Sequence, residues 1–403
     1  MRWCSLIPCL QSLLLGLTTA VLAVPSGEKP ARFGDPGWIP DESRMDDRFP
    51  AMREWAIAGV RGGIPLRDTM PIHVRVQPGD DLQAAIDTAA ARGGGVVWLG
   101  AGEHPLTHPL RLASGVVLRG ESRDATVISV RMKAPFFRTS GQPQVVAIRG
   151  DRVSRAGLED LTVRYDAVDF EPYDYDDFYA PWDRRVFHEP EPRDDRLWVH
   201  LVIFDESEDG WVDNCRFLRA GTHPLGLRRS RHFTLRDNIM ERAYIKQDSM
   251  HGGYFGVWGT SHSLIINQTV SKIRHFALML PGCRYNVVLG GHYETDLNFH
   301  DADDGDNLIE GAHFATPVWH SWDAVARGAP GQHRPPGAGN LLYNVTAISK
   351  GVPGFTRRGP VSEPGVIYEV AATFDGPAIR ARHETPPAGG TLYAVRHVGA
   401  EER

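Results

Sequence analysis

Five times between Leu201 and Asp301 the chain returns to one short pattern: LVIFDE, PLGLRR, YFGVWG, HFALML and DLNFHD. Superimposed, these put Phe204, Leu227, Val257, Leu278 and Phe299 in one column, with successive gaps of 23, 30, 21 and 21 residues. A turn of Gly or polar residues follows each, and then a second apolar run: GWVDNCRF, HFTLRDNIM, SLIINQTV, YNVVLGG and DNLIEGAHF. Periods of about 20–50 residues belong to solenoids, and period-2 alternation within each run specifies strands, not helices. The fold predicted is all-β, a coiled stack of parallel strands. Residues one repeat apart then become neighbours about 4.8 Å from each other.

The repeat also sorts side chains by face. Leu225 and Leu227, Phe255 and Val257, Phe276 and Leu278, and Leu297 and Phe299 point inward. The alternate positions form three outward columns. The first holds Leu201, Pro224, Tyr254, His275 and Asp296; the middle one Ile203, Gly226, Gly256, Ala277 and Asn298; the third Asp205, Arg228, Trp258, Met279 and His300. Gly, Gly and Ala in consecutive coils predict a low floor, with Tyr254, Trp258, His275 and His300 as the walls of a groove.

Residues 1–23, MRWCSLIPCLQSLLLGLTTAVLA, combine Arg2, an apolar run and a small-residue end, the form of a secretory signal peptide. A secreted or periplasmic protein is expected. No later stretch reaches the ~18 apolar residues of a membrane span. Loss of residues 1–23 removes one positive charge, taking the formal net charge from −6 to −7. A mildly acidic chain argues against broad nucleic-acid binding. Cys215 and Cys283 remain, in different coils and without metal-site spacing, so they are expected to be unpaired.

Residues 24–72, rich in Pro, Gly and charge, read as an extended arm, and 73–403 as one domain. In DDLQAAIDTAAARGGGVVWLGAGEHPL, Leu82, Ala85, Ile86 and Ala89 have helical spacing, Asp80 or Asp81 can cap the start, and Gly93–Gly95 stop it. An amphipathic helix there covers the open end of a solenoid. This stretch, with VVLRGE after it, resembles the opening of the pectate-lyase-like superfamily. The resemblance spans roughly Asp80 to Asn344. It implies a right-handed parallel β-helix with an N-terminal capping helix, in a group dominated by polysaccharide lyases, glycosidases and epimerases. It does not hand over a catalytic set. The NTD, DD, GHG and RIK series of polygalacturonases is incomplete, since Asp303-Asp304 supplies a DD but no GHG or RIK follows it, and the RxPxxR of calcium-dependent pectate lyases is missing.

Two insertions interrupt the coil, near 165–196 and 316–339, both with aromatic residues suited to stacking on sugars. The second contributes Trp319 and Trp322. The 30-residue gap comes from YIKQDSMHGGY, which brings Tyr244, Lys246 and His251 towards the floor. Removing the C5 proton of a uronate and expelling the 4-linked sugar needs a base, an acid and a group that neutralises the carboxylate. His275 or Lys246 suits the base, Tyr254 the acid, and Asn298, Arg274 and His300 the carboxylate, with His251 a further candidate. Trp258, Arg228, Asp296, Tyr244, Trp319 and Trp322 are the substrate-binding candidates. Asp301, Asp303 and Asp304 form a run that suits a hard cation such as calcium, the one candidate cofactor, and no cofactor is required by the sequence. The function expected is a lyase acting on an acidic polysaccharide. The alternatives are a glycoside hydrolase pairing Asp296 with Asp301 or Asp304, an epimerase sharing the first proton transfer, and a carbohydrate-binding β-helix without catalysis.

Overall fold

The computed structural model describes residues 31–134, 145–167, 198–243, 253–317, 320, 322–349 and 363–399. Residues 1–23, the bulk of the first insertion, and Tyr244, Lys246, His251 and Trp319 lie outside them. The body runs from Phe33.

Each coil contributes strands to stacked parallel sheets, giving a right-handed parallel β-helix. One sheet of 12 strands runs from Ile72–Val76 to Ile379–Arg382. The other, of 15, is two flanks fused by the long strands Thr269–Met279 and His292–Phe299. Elsewhere a corner separates the flanks: four residues between Arg216–Ala220 and Leu225–Arg228, and longer segments after Thr162–Tyr165, Ile239–Ala243 and His313–Thr316. In TVSKIRHFALM no Gly or Pro breaks the run, so the strand turns the corner unbroken. The bend appears as a register shift between Ser271 and His275, with Lys272 in the left-handed region at φ 53°.

The outward columns are those the repeat requires. Ile203, Gly226, Gly256, Ala277 and Asn298 are successive rung partners, as are Tyr254, His275 and Asp296, and Asp205, Arg228, Trp258 and Met279. Inside, Phe255, Phe276, Tyr293 and Phe314 stack with centroids 4.6, 5.2 and 4.5 Å apart. The turn following the 12-stranded sheet repeats a left-handed residue at Asp160, Asn214, Asp237, Asn267 and Asn344, residue types that tolerate it.

The capping helix is Leu82–Ala91, started by the Asp81 carboxylate accepting from Ala84 N at 3.0 Å, with Leu82, Ala85, Ile86 and Ala89 buried. The arm lies on the 12-stranded sheet through ion pairs: Arg67 reaches Glu159, Asp160 and Asp213 at 2.7–2.8 Å, and Arg236 holds Asp35 at 2.6 Å. This sheet is therefore occupied by the chain's own residues. Residues 316–339 are not one loop, because strand Val325–Arg327 sits within them and pairs with His292–Phe299. Cys215 and Cys283 are buried and unbridged.

Buried backbone at one corner is satisfied by a ladder of asparagines. Asn307 Oδ1 accepts from Asn286 N at 3.0 Å and from Asn286 Nδ2 at 2.9 Å, and Asn340 Oδ1 accepts from Asn307 N at 3.0 Å. Leaving a buried donor unpaired costs about 1–3 kcal/mol. Asn307→Ala strands the backbone N–H of Asn286, whose Nδ2 keeps Thr260 O, and is expected to lower stability by about 1–3 kcal/mol, read as a lower urea midpoint; an unchanged midpoint contradicts the ladder's role.

Candidate active site

At the corner where Thr269–Met279 bends, the bulge brings two consecutive residues, Arg274 and His275, to one polar cluster. Bulges re-aim side chains in this way. Arg274 Nε donates to His275 Nε2 at 3.0 Å, so that nitrogen is an acceptor and the ring proton sits on Nδ1. Nδ1–H then meets Asp296, one rung on, at 2.7 Å from Oδ1 and 2.9 Å from Oδ2. Asn298 Nδ2 donates to Asp296 Oδ2 at 2.8 Å. His320 comes from the next coil, Trp322 N donates to its Nδ1 at 3.1 Å, and its Nε2–H faces Arg274 O and, at 3.3 Å, Asp296 Oδ1.

Rings close the cluster. Tyr254 stands edge-on to His275 at 4.9 Å and 5.8 Å from His300; His300 lies 5.3 Å from His275 and 4.3 Å from His333. Trp322 packs 5.7 Å from His275 and 6.1 Å from His300. Two buried polar atoms have no hydrogen-bond partner, Asn298 Oδ1 and His300 Nδ1. Buried polar atoms are nearly always paired, so two orphans in one cluster set it apart from the hydrogen-bonded core around it.

The electrostatics follow from burial. His275 is fully buried, which disfavours its charge; Asp296 pulls the other way and Arg274 and His300 add to the lowering, leaving its pKa at about 3. Burial works against the charge of Asp296 too, but the two imidazoles and their N–H groups overcome it, and the carboxyl stays ionised well below the usual range. His300 is lowered to about 4 by burial and by His333 and Arg274.

Several expectations change. The cluster is no open groove: Tyr254 is 5% exposed, His275, Asp296 and Asn298 are 0% and His300 is 9%. Trp258 is not a wall. Its indole lies across the floor, where a Cβ on Gly226 or Gly256 would approach it to 2.2 or 2.0 Å, so those glycines make room for the ring. Arg228 rests on that ring, 5.1 Å from its centroid. Asp296 and Asn298 are turned to His275 and each other, not outward to substrate. Asp301, Asp303 and Asp304 do not converge on a cation: Asp301 binds Arg334 at 3.0 Å, Asp303 joins the ladder through Asn340 at 2.7 Å, and Asp304 accepts from Gly282 N at 2.9 Å.

Among the described residues, the grouping with metal-ligand geometry is His275, Asp296 and His320, with one ligand-type atom each within 4.8 Å. Hydrogen bonds already fill it. A cation there would have to displace the His275 proton and stand beside the Arg274 guanidinium, so the set is a hydrogen-bonded relay. His320 was not among the residues expected here, and its one signal in the sequence is its place in PVWHSW between Trp319 and Trp322.

No known family's sequence model matches the chain, and no curated protein matches it. Solved structures resemble it in fold. Polygalacturonase from Erwinia carotovora ssp. carotovora is 13% identical, covering 75% of this chain and 85% of that one, with TM-score 0.42. Pectin methylesterase PemA from Erwinia chrysanthemi is 12% identical over 72% and 92%, with TM-score 0.40. Pectin methylesterase from Yersinia enterocolitica is 12% identical over 70% and 92%, with TM-score 0.38. These likenesses are of fold alone.

Because folding keeps His275 neutral, the unfolded chain takes up a proton that the folded one refuses between pH 6.5 and about 3. The stability from this group is complete above pH 6.5 and falls as acid is added through that window. Imidazole nitrogen NMR is expected to show His275 as the Nδ1–H tautomer, with no titration between about pH 8 and about pH 5. A midpoint near the ordinary histidine value contradicts the arrangement.

Proposed function

On the fold of the pectate-lyase-like superfamily, we propose that this chain is a secreted or periplasmic lyase that cleaves a uronate-containing polysaccharide by β-elimination. The observation that supports it best is the neutral imidazole of His275, braced at Nδ1 by Asp296 and covered at Nε2 by Arg274. A substrate carboxylate draws the guanidinium to itself. That neutralises the carboxylate, which acidifies the C5 proton, and uncovers the Nε2 lone pair that takes the proton. The C5–H electrons form the C4–C5 double bond, the C4–O bond breaks, and the leaving oxygen takes a proton from Tyr254. Trp322 must swing aside for the sugar to enter. Asn298 and His320 hold Asp296 in place, and the buried, unpaired Nδ1 of His300 is left to bond the sugar once Trp322 has moved.

Hydrolysis by a carboxyl pair fits less well. It requires one protonated carboxyl beside one ionised. Asp296 is held ionised by its imidazole neighbours, Asp301 is held ionised by Arg334, and Asp303, raised to about 6 by burial, belongs to the asparagine ladder. Among the described residues no helix is long and apolar enough to cross a membrane.

Incubation with pectate, alginate, ulvan and glycosaminoglycans, with and without chelator, is expected to give unsaturated ends on at least one polymer, and chelator is expected to leave the rate intact because Arg274 does a cation's work. His275→Ala and Asp296→Asn are each expected to lower the rate by about 10²–10⁴. Reducing ends without an unsaturated product select hydrolysis. Binding without any turnover selects a carbohydrate-binding role.

A further inference from the structure

Among the described residues, the outward column beside the centre holds a cation with no ion-pair partner of its own. Asp205, the carboxylate neighbouring Arg228 on the next rung, is taken by Arg229, whose Nη2 lies 2.7 Å from Oδ1 and 2.8 Å from Oδ2. Arg149, also near, is held by Asp151. Among the described residues Arg228 forms no ion pair, and its one specific contact is the Trp258 indole. None of its nitrogens is sealed from solvent, although the side chain as a whole is half-buried.

Withdrawing a guanidinium from water without an anion is unfavourable, and the contact with an indole recovers only part of that cost. Burial accordingly lowers the Arg228 pKa, with Asp205 opposing and Arg149 and Arg229 adding to the fall. What holds the arrangement is the floor beneath it. Gly226 and Gly256 have no Cβ to meet the indole, so the ring lies flat and fixes the plane above which the guanidinium rests. A planar fork of N–H donors, oriented and open on its outer side, matches a carboxylate two-to-two.

We propose that Arg228, laid on Trp258, is a carboxylate-recognition subsite for an anionic sugar of the polymer, set apart from the His275 centre. It rests on the uronate reading above and deepens it. Arg228 and His275 are two rungs apart and four residues apart along the strands, about 16 Å between Cα positions. The subsite thus holds a sugar other than the one that reacts, and makes the enzyme select polymers whose acid groups repeat along the chain. A neutral polymer leaves the guanidinium unpaired.

The test is binding, measured by calorimetry at low salt, of polygalacturonate and alginate oligomers and of methyl-esterified polygalacturonate. Arg228→Met keeps the aliphatic stem and removes the charge. It is expected to weaken binding of the acid oligomers by about tenfold or more while leaving the esterified one unchanged. Arg228→Lys is expected to recover only part of the loss, having no plane to lie on the indole. Gly256→Ala displaces the indole with Arg228 intact and is expected to weaken the acid oligomers too; melting temperatures identify any variant that fails to fold. Wild-type affinity in Arg228→Met, an equal loss for acid and ester, or no binding of either acid polymer by the wild type overturns the subsite. If Arg228→Met loses acid binding while the wild type forms no unsaturated product, the subsite stands and elimination fails.

Discussion

Rung-to-rung register is the constraint from which the site is built. His275 and Asp296 are 21 positions apart in the chain, yet their contact requires only that two coils superimpose, because the coil spacing equals the reach of one hydrogen bond between side chains. A slip of one residue would send His275 into the core and Phe276 out. The aromatic stack within and the asparagine ladder at the corner both resist that slip. What fixes the fold therefore also fixes the pairing of a buried carboxylate with the proton it needs.

The second constraint is the missing corner. Where other coils turn through a loop, Thr269–Met279 continues, and the bulge needed to bend it turns Arg274 and His275 to the same cluster. In the elimination proposed for this chain, a neutral imidazole caught between a carboxylate and a guanidinium is quiescent until an anion competes for the guanidinium. The charge that identifies the substrate would then also release the base, which ties recognition to reactivity without any added cofactor.

The columns were readable from the repeat because strand side chains alternate with a period of two, and the inward Phe255 and Phe276 could not face water. The capping helix was readable from its apolar spacing and Asp81. Burial of the cluster was not, since it depends on Trp322 and His320, which arrive from a coil whose strand Val325–Arg327 lies within an apparent loop. Nor was the part played by Trp258: small residues at 226 and 256 are equally consistent with an open floor and with a ring laid over it. The acid run at 301–304 looked like one site because sequence proximity was read as convergence, whereas successive residues of a turn point to Arg334, Asn340 and Gly282 in three directions.

The most direct measurement is a crystal structure of the His275→Ala protein with a bound uronate hexamer. The account predicts the sugars laid along the outward columns, with one carboxylate within hydrogen-bond reach of Arg274 and Trp322 displaced. A hexamer seated on another face, with Arg274 still pointing away from it, contradicts the account.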